Sequence, residues 1–445
     1  MPETDVHSAM SGAKQPPIPD GVPLMGHGLA FARDPWTAMR EWATQGDVVA
    51  LSFPGRSMYM VTDPALIERV LVSDQDKFTI SRAQRETFEG IEDDAVTATE
   101  GDRWRRLRRA LQPAFEWEAV RSYGDRMAEH TAAHLDRWTA GEQLDLWAEM
   151  RQLTLHILAD TLLGVEVGGD EPTVHEAADA LVAKTDFRRP GQLLPDWVPT
   201  PTQRRFDRAV GNLDDYVETV IEQSEPGNET VLGVLLEAQE RGDVSTAEVR
   251  DNLTALLLAG HDSSAVTLSY AWYELSNNPS VRTDIGDEVA STLDGGVPAA
   301  DEFEALSTTR NVVRETLRLY PPAFATSREA TEPVTLGGYD LPAGTQVMLP
   351  QWVLHRDGRF WDAPDTFDPA RWERDSARPE YAYFPFSGGP RHCIGMRFAR
   401  LELVLALATM VDRVDLEVSV EGDLTFRPSL SLRPENDVRA TVREP

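Results

Sequence analysis

Residues 386–395, FSGGPRHCIG, contain the only cysteine of this 445-residue chain, Cys393, in a loop with three glycines. The sequence that follows, MRFARLELVLALATMVDR, has the apolar spacing of a helix. A glycine-rich loop that opens a helix offers free backbone N–H groups and the positive end of the helix dipole, and both stabilise a thiolate. We therefore expect Cys393 to be ionised and to serve as a ligand or a nucleophile.

The charge balance is strongly acidic, with 74 Asp and Glu against 43 Lys and Arg, a net charge of -31 and only three lysines. An acidic surface repels nucleic acid, and excess carboxylate with arginine in place of lysine suits a protein whose self-repulsion is screened by salt. We expect no nucleic-acid partner and a halophilic source. An ordinary acidic protein is the alternative to a halophile.

The N-terminal segment, MPETDVHSAMSGAKQPP, is polar and lacks the apolar stretch of a signal peptide. Nowhere does the chain reach the roughly 20 consecutive apolar residues that span a bilayer. A single cysteine allows no internal disulfide. These features predict a cytoplasmic protein without a membrane anchor.

Helical periodicity dominates residues 64–280 and recurs after the cysteine loop. Short strands are predicted in residues 48–63, in 333–353 and near the C-terminus. The pattern predicts a mainly α fold with a smaller β-rich part. We treat residues 1–445 as one domain, because no internal repeat and no Gly/Ser linker interrupts them.

The longest predicted helix begins after Ser245, which has the capping-box spacing to Glu248, and ends at the NNP of residues 277–279. Its centre is apolar on all sides except for residues 260–264, GHDSS. A polar patch in the middle of a long core helix predicts a functional role for these five residues.

The cysteine loop also identifies a family. With no second cysteine in the chain, a zinc or iron–sulfur site is not expected, whereas a lone thiolate is the axial ligand in one class of haem enzyme. The loop fills the pattern F-x-x-G-x-R-x-C-x-G with Phe386, Gly389, Arg391, Cys393 and Gly395. It resembles the haem-binding loop of the cytochrome P450 family. The resemblance implies haem b with Cys393 as the axial ligand of iron, the triangular helical haem-thiolate fold, and no fused reductase domain.

A second motif lies before the cysteine loop. Glu315 and Arg318 in ETLR resemble the E-x-x-R of the family, and three-residue spacing puts both on one helix face. The resemblance adds Arg371 of FDPARW as a third member. These residues are expected to form a buried structural ion-pair cluster.

Several arginines are candidates for binding haem carboxylates. Trp104 and Arg108 in WRRLR resemble the W-x-x-x-R of the family's third helix, which reaches the propionates. Arg391 and Arg328 are expected to complete this cationic cradle, because buried carboxylates need paired donors. An ordinary core tryptophan remains the alternative for Trp104.

The polar patch of the long helix resembles the family's A-G-x-[DE]-T-[TS]. The resemblance implies that Gly260 lets the helix open and that Asp262 and Ser263 relay protons to bound dioxygen. Serine stands where the family usually has threonine, which puts coupling of oxygen reduction to product formation in doubt. Hydrogen bonding of Ser263 to the preceding turn is the alternative.

The resemblance implies a monooxygenase that inserts one oxygen atom from O2 into a hydrophobic substrate, with electrons from a separate ferredoxin- or flavodoxin-type donor. We expect the substrate pocket to draw on residues 78–96, on the apolar part of the long helix around Leu257 and Ala265, and on residues 323–326. The arginines of residues 103–109 that do not reach haem could attract an acidic ferredoxin, or could simply be solvated. A peroxide-driven or electron-independent haem-thiolate enzyme and a non-catalytic haem-binding protein remain alternatives.

Overall fold

The structure is a computed structural model, and it describes residues 15–165, 171–186, 188, 200–227, 229–293, 295–374 and 377–443. Its α-helices are, in chain order, α1 (Gly28–Arg33), α2 (Pro35–Ala43), α3 (Pro64–Glu68), α4 (Arg82–Phe88), α5 (Gly101–Leu111), α6 (Trp117–Ser122), α7 (Gly124–Leu135), α8 (Leu146–Leu158), α9 (Glu171–Thr185), α10 (Pro201–Gln223), α11 (Val231–Glu240), α12 (Thr246–Asn277), α13 (Pro279–Thr292), α14 (Ser307–Leu319), α15 (Gln351–Leu354) and α16 (Met396–Arg413). Its strands are β1 (Val48–Phe53), β2 (Arg56–Val61), β3 (Phe78–Ile80), β4 (Gln143–Asp145), β5 (Thr326–Ala330), β6 (Val334–Leu336), β7 (Tyr339–Leu341), β8 (Gln346–Leu349), β9 (Asp415–Val420) and β10 (Val438–Arg443). The predicted mainly α fold with a smaller β-rich part is confirmed.

Helix α12 is the central element of the helical part. Its first turn is closed by the predicted capping box, in which Ser245 and Glu248 each accept a hydrogen bond from the other's backbone N–H. The helix ends at Asn277, as predicted, and packs against α8, α10, α14 and α16. Although α12 is long, neither it nor any other helix in the described part of the chain is apolar enough to cross a bilayer.

The largest sheet has five strands in the order β1-β2-β8-β5-β3. Strands β1 and β2 form the predicted antiparallel hairpin, and β8 joins β2 in parallel. Strand β5 then pairs with β8 and places Arg328 opposite Ile80 of β3. The N-terminal hairpin is thereby fixed to the segment that follows α14, which the local sequence pattern did not predict.

A second sheet has the order β4-β10-β9. Between β9 and β10, residues 427–434 fold back onto the helical part, and we call this segment the C-terminal loop. The Leu432 N–H donates to the Pro322 carbonyl oxygen over 3.0 Å. The Tyr270 hydroxyl of α12 donates to the Leu432 carbonyl oxygen over 2.8 Å. These two bonds bring the loop against the centre of the molecule.

Candidate active site

Glycine gives the cysteine loop its shape. Gly389 has a φ of +66°, and a Cβ atom there would lie 1.8 Å from the Leu71 carbonyl oxygen, so only glycine fits. The loop closes where the Cys393 N–H donates to the Phe386 carbonyl oxygen over 3.0 Å. Gly395 then caps α16, which places the thiol just before the N-terminus of that helix.

The thiol of Cys393 is surrounded by protein, yet its side chain is exposed, so it borders an internal cavity. Burial raises the pKa of the Cys393 thiol, and the Gly395 N–H and the Arg108 charge oppose this only in part. Desolvation thus opposes the ionisation that we expect of Cys393, whereas the backbone donor and the arginine favour it. A bound metal cation would supply the missing charge.

Three guanidinium groups form a cationic cluster around the loop. Arg108 donates to the His392 carbonyl oxygen over 3.1 Å, and Arg391 donates to the Thr99 carbonyl oxygen over 2.8 Å. The buried Arg328 donates to the Ser327 carbonyl oxygen over 2.8 Å. Arg108 also lies 3.2 Å from the His392 ring nitrogen, so the acceptors described for these three arginines are backbone carbonyls and an imidazole rather than carboxylates.

Trp104 holds one member of the cluster in place. It packs against the main core, and the Arg391 guanidinium carbon lies 4.6 Å from its ring centroid. Burial and the neighbouring Arg391 charge lower the pKa of Arg328 to about 10. Burial likewise lowers the pKa of Arg108. Crowded arginines without a carboxylate partner among the described residues indicate a site for a bound anion.

One side of α12 borders a cavity. Ala259 and Ser263, four residues apart, are exposed although their neighbours on the helix are buried. The Ser263 hydroxyl donates to the Ala259 carbonyl oxygen over 2.9 Å, which is the local bond that we weighed as the alternative to a relay. Leu257 and Ala265 were expected to line the pocket, but both are fully buried and lie on other faces of the helix.

Gly260 does not open the helix, because α12 is continuous through this position. A Cβ atom at Gly260 would lie 2.2 Å from Cδ1 of Leu158 in α8. The expected opening is therefore not present, and the glycine instead permits the close approach of two helices. Thr154 of α8 strengthens this contact by donating to the His261 carbonyl oxygen over 2.9 Å.

Asp262 lies in a cluster that the sequence did not predict. Arg433 of the C-terminal loop binds both of its carboxylate oxygens, with Nε 2.9 Å from Oδ2 and Nη2 2.6 Å from Oδ1. The same arginine contacts Asp179 of α9 over 2.7 Å, and Arg151 of α8 contacts Asp179 over 3.0 Å. The Ser431 hydroxyl donates to Asp262 over 2.8 Å. We call Asp262, Arg433, Arg151 and Asp179 the loop anchor.

The charge state of Asp262 follows from this anchor. Burial on its own would raise the pKa, but Arg433 above all, with help from Arg151, lowers the pKa of Asp262 to about 2. The carboxylate is ionised at neutral pH and engaged by its partners. It shares no hydrogen bond with Ser263, whose hydroxyl is turned to Ala259.

No motif in the sequence marked Arg433, Arg151 or Leu430. Arg433 is 171 residues away from Asp262 in the chain. Leu430, next to Ser431 in the C-terminal loop, is 39% exposed. Only folding brings Arg433 and Arg151 to Asp262.

The predicted ion-pair residues of α14 lie together. Glu315 and Arg318 are each 0% exposed, and Arg318 donates to both carboxylate oxygens of Glu315 over 2.8 and 3.0 Å. Arg371 donates to the same carboxylate over 2.9 Å, and Trp372 donates over 3.1 Å. The arginines also bind backbone carbonyls, including that of Thr366. We call Glu315, Arg318 and Arg371 the helix triad.

These residues fit haem b. Cys393 supplies a sulfur ligand at a cavity, and three arginines without carboxylate partners in the described ranges match two propionate groups. The sequence comparisons agree with that fit. The cytochrome P450 family model matches residues 16–439.

Known relatives match over nearly the whole chain. Cyclooctatin synthase of Streptomyces melanosporofaciens is 33% identical over 93% of this chain and 92% of its own length. Cyclooctat-9-en-7-ol 5-monooxygenase of the same organism is 31% identical over 89% and 88%, and pentalenene oxygenase of Streptomyces avermitilis is 31% identical over 92% of both chains. The chain is a haem-thiolate monooxygenase and belongs to the cytochrome P450 family.

Proposed function

We propose that this cytochrome P450 hydroxylates a terpenoid. The balanced reaction is R–H + O2 + 2 e⁻ + 2 H⁺ → R–OH + H2O, in which one oxygen atom enters the substrate and the other leaves as water. The names of pentalenene oxygenase and cyclooctat-9-en-7-ol 5-monooxygenase point to a terpenoid rather than to a fatty acid, and a carotenoid falls within the terpenoid class.

The observation that carries the proposal is the chemistry of the cavity walls. Ala259 of α12, Ala323 after the double proline and Leu430 of the C-terminal loop are exposed, and we place all three at this cavity. Small and apolar side chains leave room for a bulky hydrocarbon and provide no charge to bind a carboxylate. An apolar substrate without a charged end group suits such walls.

Haem b, bound through the Cys393 thiolate with its propionates on Arg108, Arg328 and Arg391, supplies the redox chemistry that activates O2. Around it we assign roles to this chain's own groups. The Ser263 hydroxyl oxygen accepts a hydrogen bond from a water that carries protons into the cavity, and the Asp262 carboxylate, one residue earlier, acts as a relay base that accepts a proton before passing it on.

A direct test compares three probes: pentalenene, dodecanoic acid and β-carotene. The holoenzyme with a surrogate ferredoxin system and ¹⁸O2 should convert pentalenene to an alcohol that contains one ¹⁸O atom, detected by mass spectrometry. Ala323→Phe, which fills the cavity from one wall, should reduce conversion of pentalenene. Oxidation of dodecanoic acid alone would contradict a terpenoid substrate.

We further propose that the electron donor is an acidic ferredoxin or flavodoxin that docks beside α5. Arg108 of this helix reaches the cysteine loop through His392, so the face next to it is near the haem ligand. Arg103 and Arg106 do not contribute, because both bind the buried carboxylate of Glu248. Arg109 and Arg105 are exposed, and among the described residues Arg105 pairs only with the fully exposed Asp102, so both can reach a partner.

The donor proposal predicts a rate that depends on salt. Replacing both Arg105 and Arg109 with Glu should slow reduction by a ferredoxin about tenfold at low ionic strength, with a smaller difference at high salt. Stopped-flow absorbance measures this rate, and dithionite should reduce both proteins equally. Arg443→Glu, an exposed site on β10, is the matched control. Equal rates for variant and control would contradict docking at α5.

A further inference from the structure

We propose that Arg433 is a positioning residue for substrate oxidation, because it fixes the C-terminal loop, and with it Leu430, against the cavity side of α12. The role does not depend on which hydrophobic substrate the enzyme takes. It concerns an arginine outside the haem-binding residues, in the segment between β9 and β10.

The guanidinium of Arg433 uses all three of its nitrogens. Nε and Nη2 bind the two oxygens of Asp262 at 2.9 and 2.6 Å, and Nη1 binds Asp179 at 2.7 Å. The side chains of Arg433 and Asp262 are both buried, so their contact is shielded from solvent, whereas Asp179 is partly exposed. One side chain of the loop thus connects α12 to α9, and only the planar fork of arginine can bind both carboxylates in this way.

The loop tip lies between two segments that border the cavity. The Ser431 hydroxyl donates to Asp262, the residue before the cavity-facing Ser263. On the other side, the Leu432 N–H donates to the Pro322 carbonyl oxygen, next to the exposed Ala323. Leu430 precedes both contacts and is exposed. Its position is therefore set by how firmly the loop is held.

Arg151 cannot replace Arg433. Its Nε lies 3.9 Å from Asp262, and this nitrogen has no hydrogen-bond acceptor among the described residues. The anchor contains two arginines and two aspartates, so removal of Arg433 leaves one buried arginine between two carboxylates. Of its described contacts with Asp262 and Asp179, the loop tip then keeps only the Ser431 hydrogen bond to Asp262, so it is held less firmly.

Loss of Arg433 should loosen the loop without unfolding it. The base of the loop is also closed by the Arg427 N–H, which donates to the Arg433 carbonyl oxygen over 2.9 Å. The Tyr270 hydroxyl holds the Leu432 carbonyl oxygen in the same way. Neither bond needs the Arg433 side chain, so a substitution there acts on the loop tip.

The experiment uses the holoprotein as wild type, Arg433→Gln and Arg433→Lys, with Arg443→Gln as a control from an exposed ion pair on β10. Hydrogen exchange of a peptide covering residues 426–434 reports how firmly the loop is held. Titration with imidazole and with 4-phenylimidazole, followed by the haem absorption spectrum, reports whether the cavity wall has moved. Imidazole is too small to contact the cavity wall, so its affinity should not depend on the position of the loop. The phenyl group of 4-phenylimidazole is large enough to contact the wall.

We expect Arg433→Gln to raise exchange in this peptide and to weaken 4-phenylimidazole binding about tenfold, with imidazole affinity changed less than about twofold. Arg433→Lys should restore part of both effects, and Arg443→Gln should behave as wild type. The proposal would be overturned if hydrogen exchange in Arg433→Gln equalled that of wild type. It would also be overturned if exchange rose while the affinity for 4-phenylimidazole stayed unchanged. If Arg433→Gln fails to retain haem, Ser431→Ala should show both effects at smaller size, and no change in either would overturn the proposal.

Discussion

The helix triad and the loop anchor are both buried carboxylates bound by arginines, but they are built differently. In the triad, Glu315 and Arg318 are neighbours on one helix and Arg371 follows in the same part of the chain. In the anchor, Asp262 and its partners come from three helices and a loop. The triad is sealed from solvent, whereas Asp179 of the anchor is 41% exposed. The first cluster is suited to hold the fold rigidly and the second to hold a movable segment.

Removing the triad carboxylate should have the largest effect. Glu315→Gln leaves Arg318 and Arg371 buried without a charge partner, and loss of one member of a buried ion pair costs about 3–5 kcal/mol. Denaturant unfolding of the holoprotein and its haem content measure the loss. Glu304→Gln is the matched control, because Glu304 also pairs with an arginine but is 78% exposed. If Glu315→Gln were as stable as Glu304→Gln, burial of the helix triad would not make its carboxylate more important for stability than an exposed one.

Removing the Asp262 carboxylate of the loop anchor should lower the free energy of unfolding by less, and the size of this loss should depend on pH. The pKa of Asp262 is lowered to about 2, so this group stabilises the folded protein above its unfolded pKa of about 4. That contribution, about 2 kcal/mol, is lost as the pH falls through about 2. Asp262→Asn lacks it at every pH.

The free energy of unfolding, measured for wild type and Asp262→Asn at pH 7, 4 and 3, tests this direction of pH dependence. The difference in free energy between them should shrink as the pH falls. Other carboxylates with lowered pKa values, such as Asp160 and Glu248, titrate in both proteins and cancel in the difference. A difference that is constant with pH would mean that Arg433 does not control the charge of Asp262.

The same contrast explains what the sequence could predict. The E-x-x-R spacing and the cysteine loop are local patterns, so the positions of Glu315, Arg318 and Cys393 followed from them. The anchor could not be foreseen, because nothing near Asp262 in the chain indicates that Arg433 reaches it. Local patterns also predicted α12 and its capping box, but not the parallel pairing of β2 with β8, which depends on residues far apart.

Where sequence reasoning failed, burial was the missing quantity. Gly260 was expected to open the helix, but Leu158 of α8 fills the space that a side chain at this position would need. Leu257 was expected in the pocket because it is apolar, although it faces the core instead.

A third buried carboxylate, without any arginine, sharpens the comparison. Glu402 of α16 accepts a hydrogen bond from Ser264 of α12, and burial raises its pKa to about 8. A raised pKa means that the folded state keeps its proton while the unfolded state loses it from about pH 4.5 upward. The stability that the protonated form provides therefore declines from about pH 4.5 until the pH passes 8.

Glu402→Gln keeps the shape and cannot ionise, so it should remove this decline. Near pH 5 the two proteins should differ little, and at higher pH the variant should gain on wild type by about 1 kcal/mol per pH unit. Unfolding at pH 5, 7 and 8 measures the slope. If the free energy of unfolding of wild type changed with pH in parallel with that of the variant, Glu402 would be ionised in the folded protein without an arginine partner. In that case the arginines of the triad and the anchor would not be what decides whether a buried carboxylate in this protein carries charge.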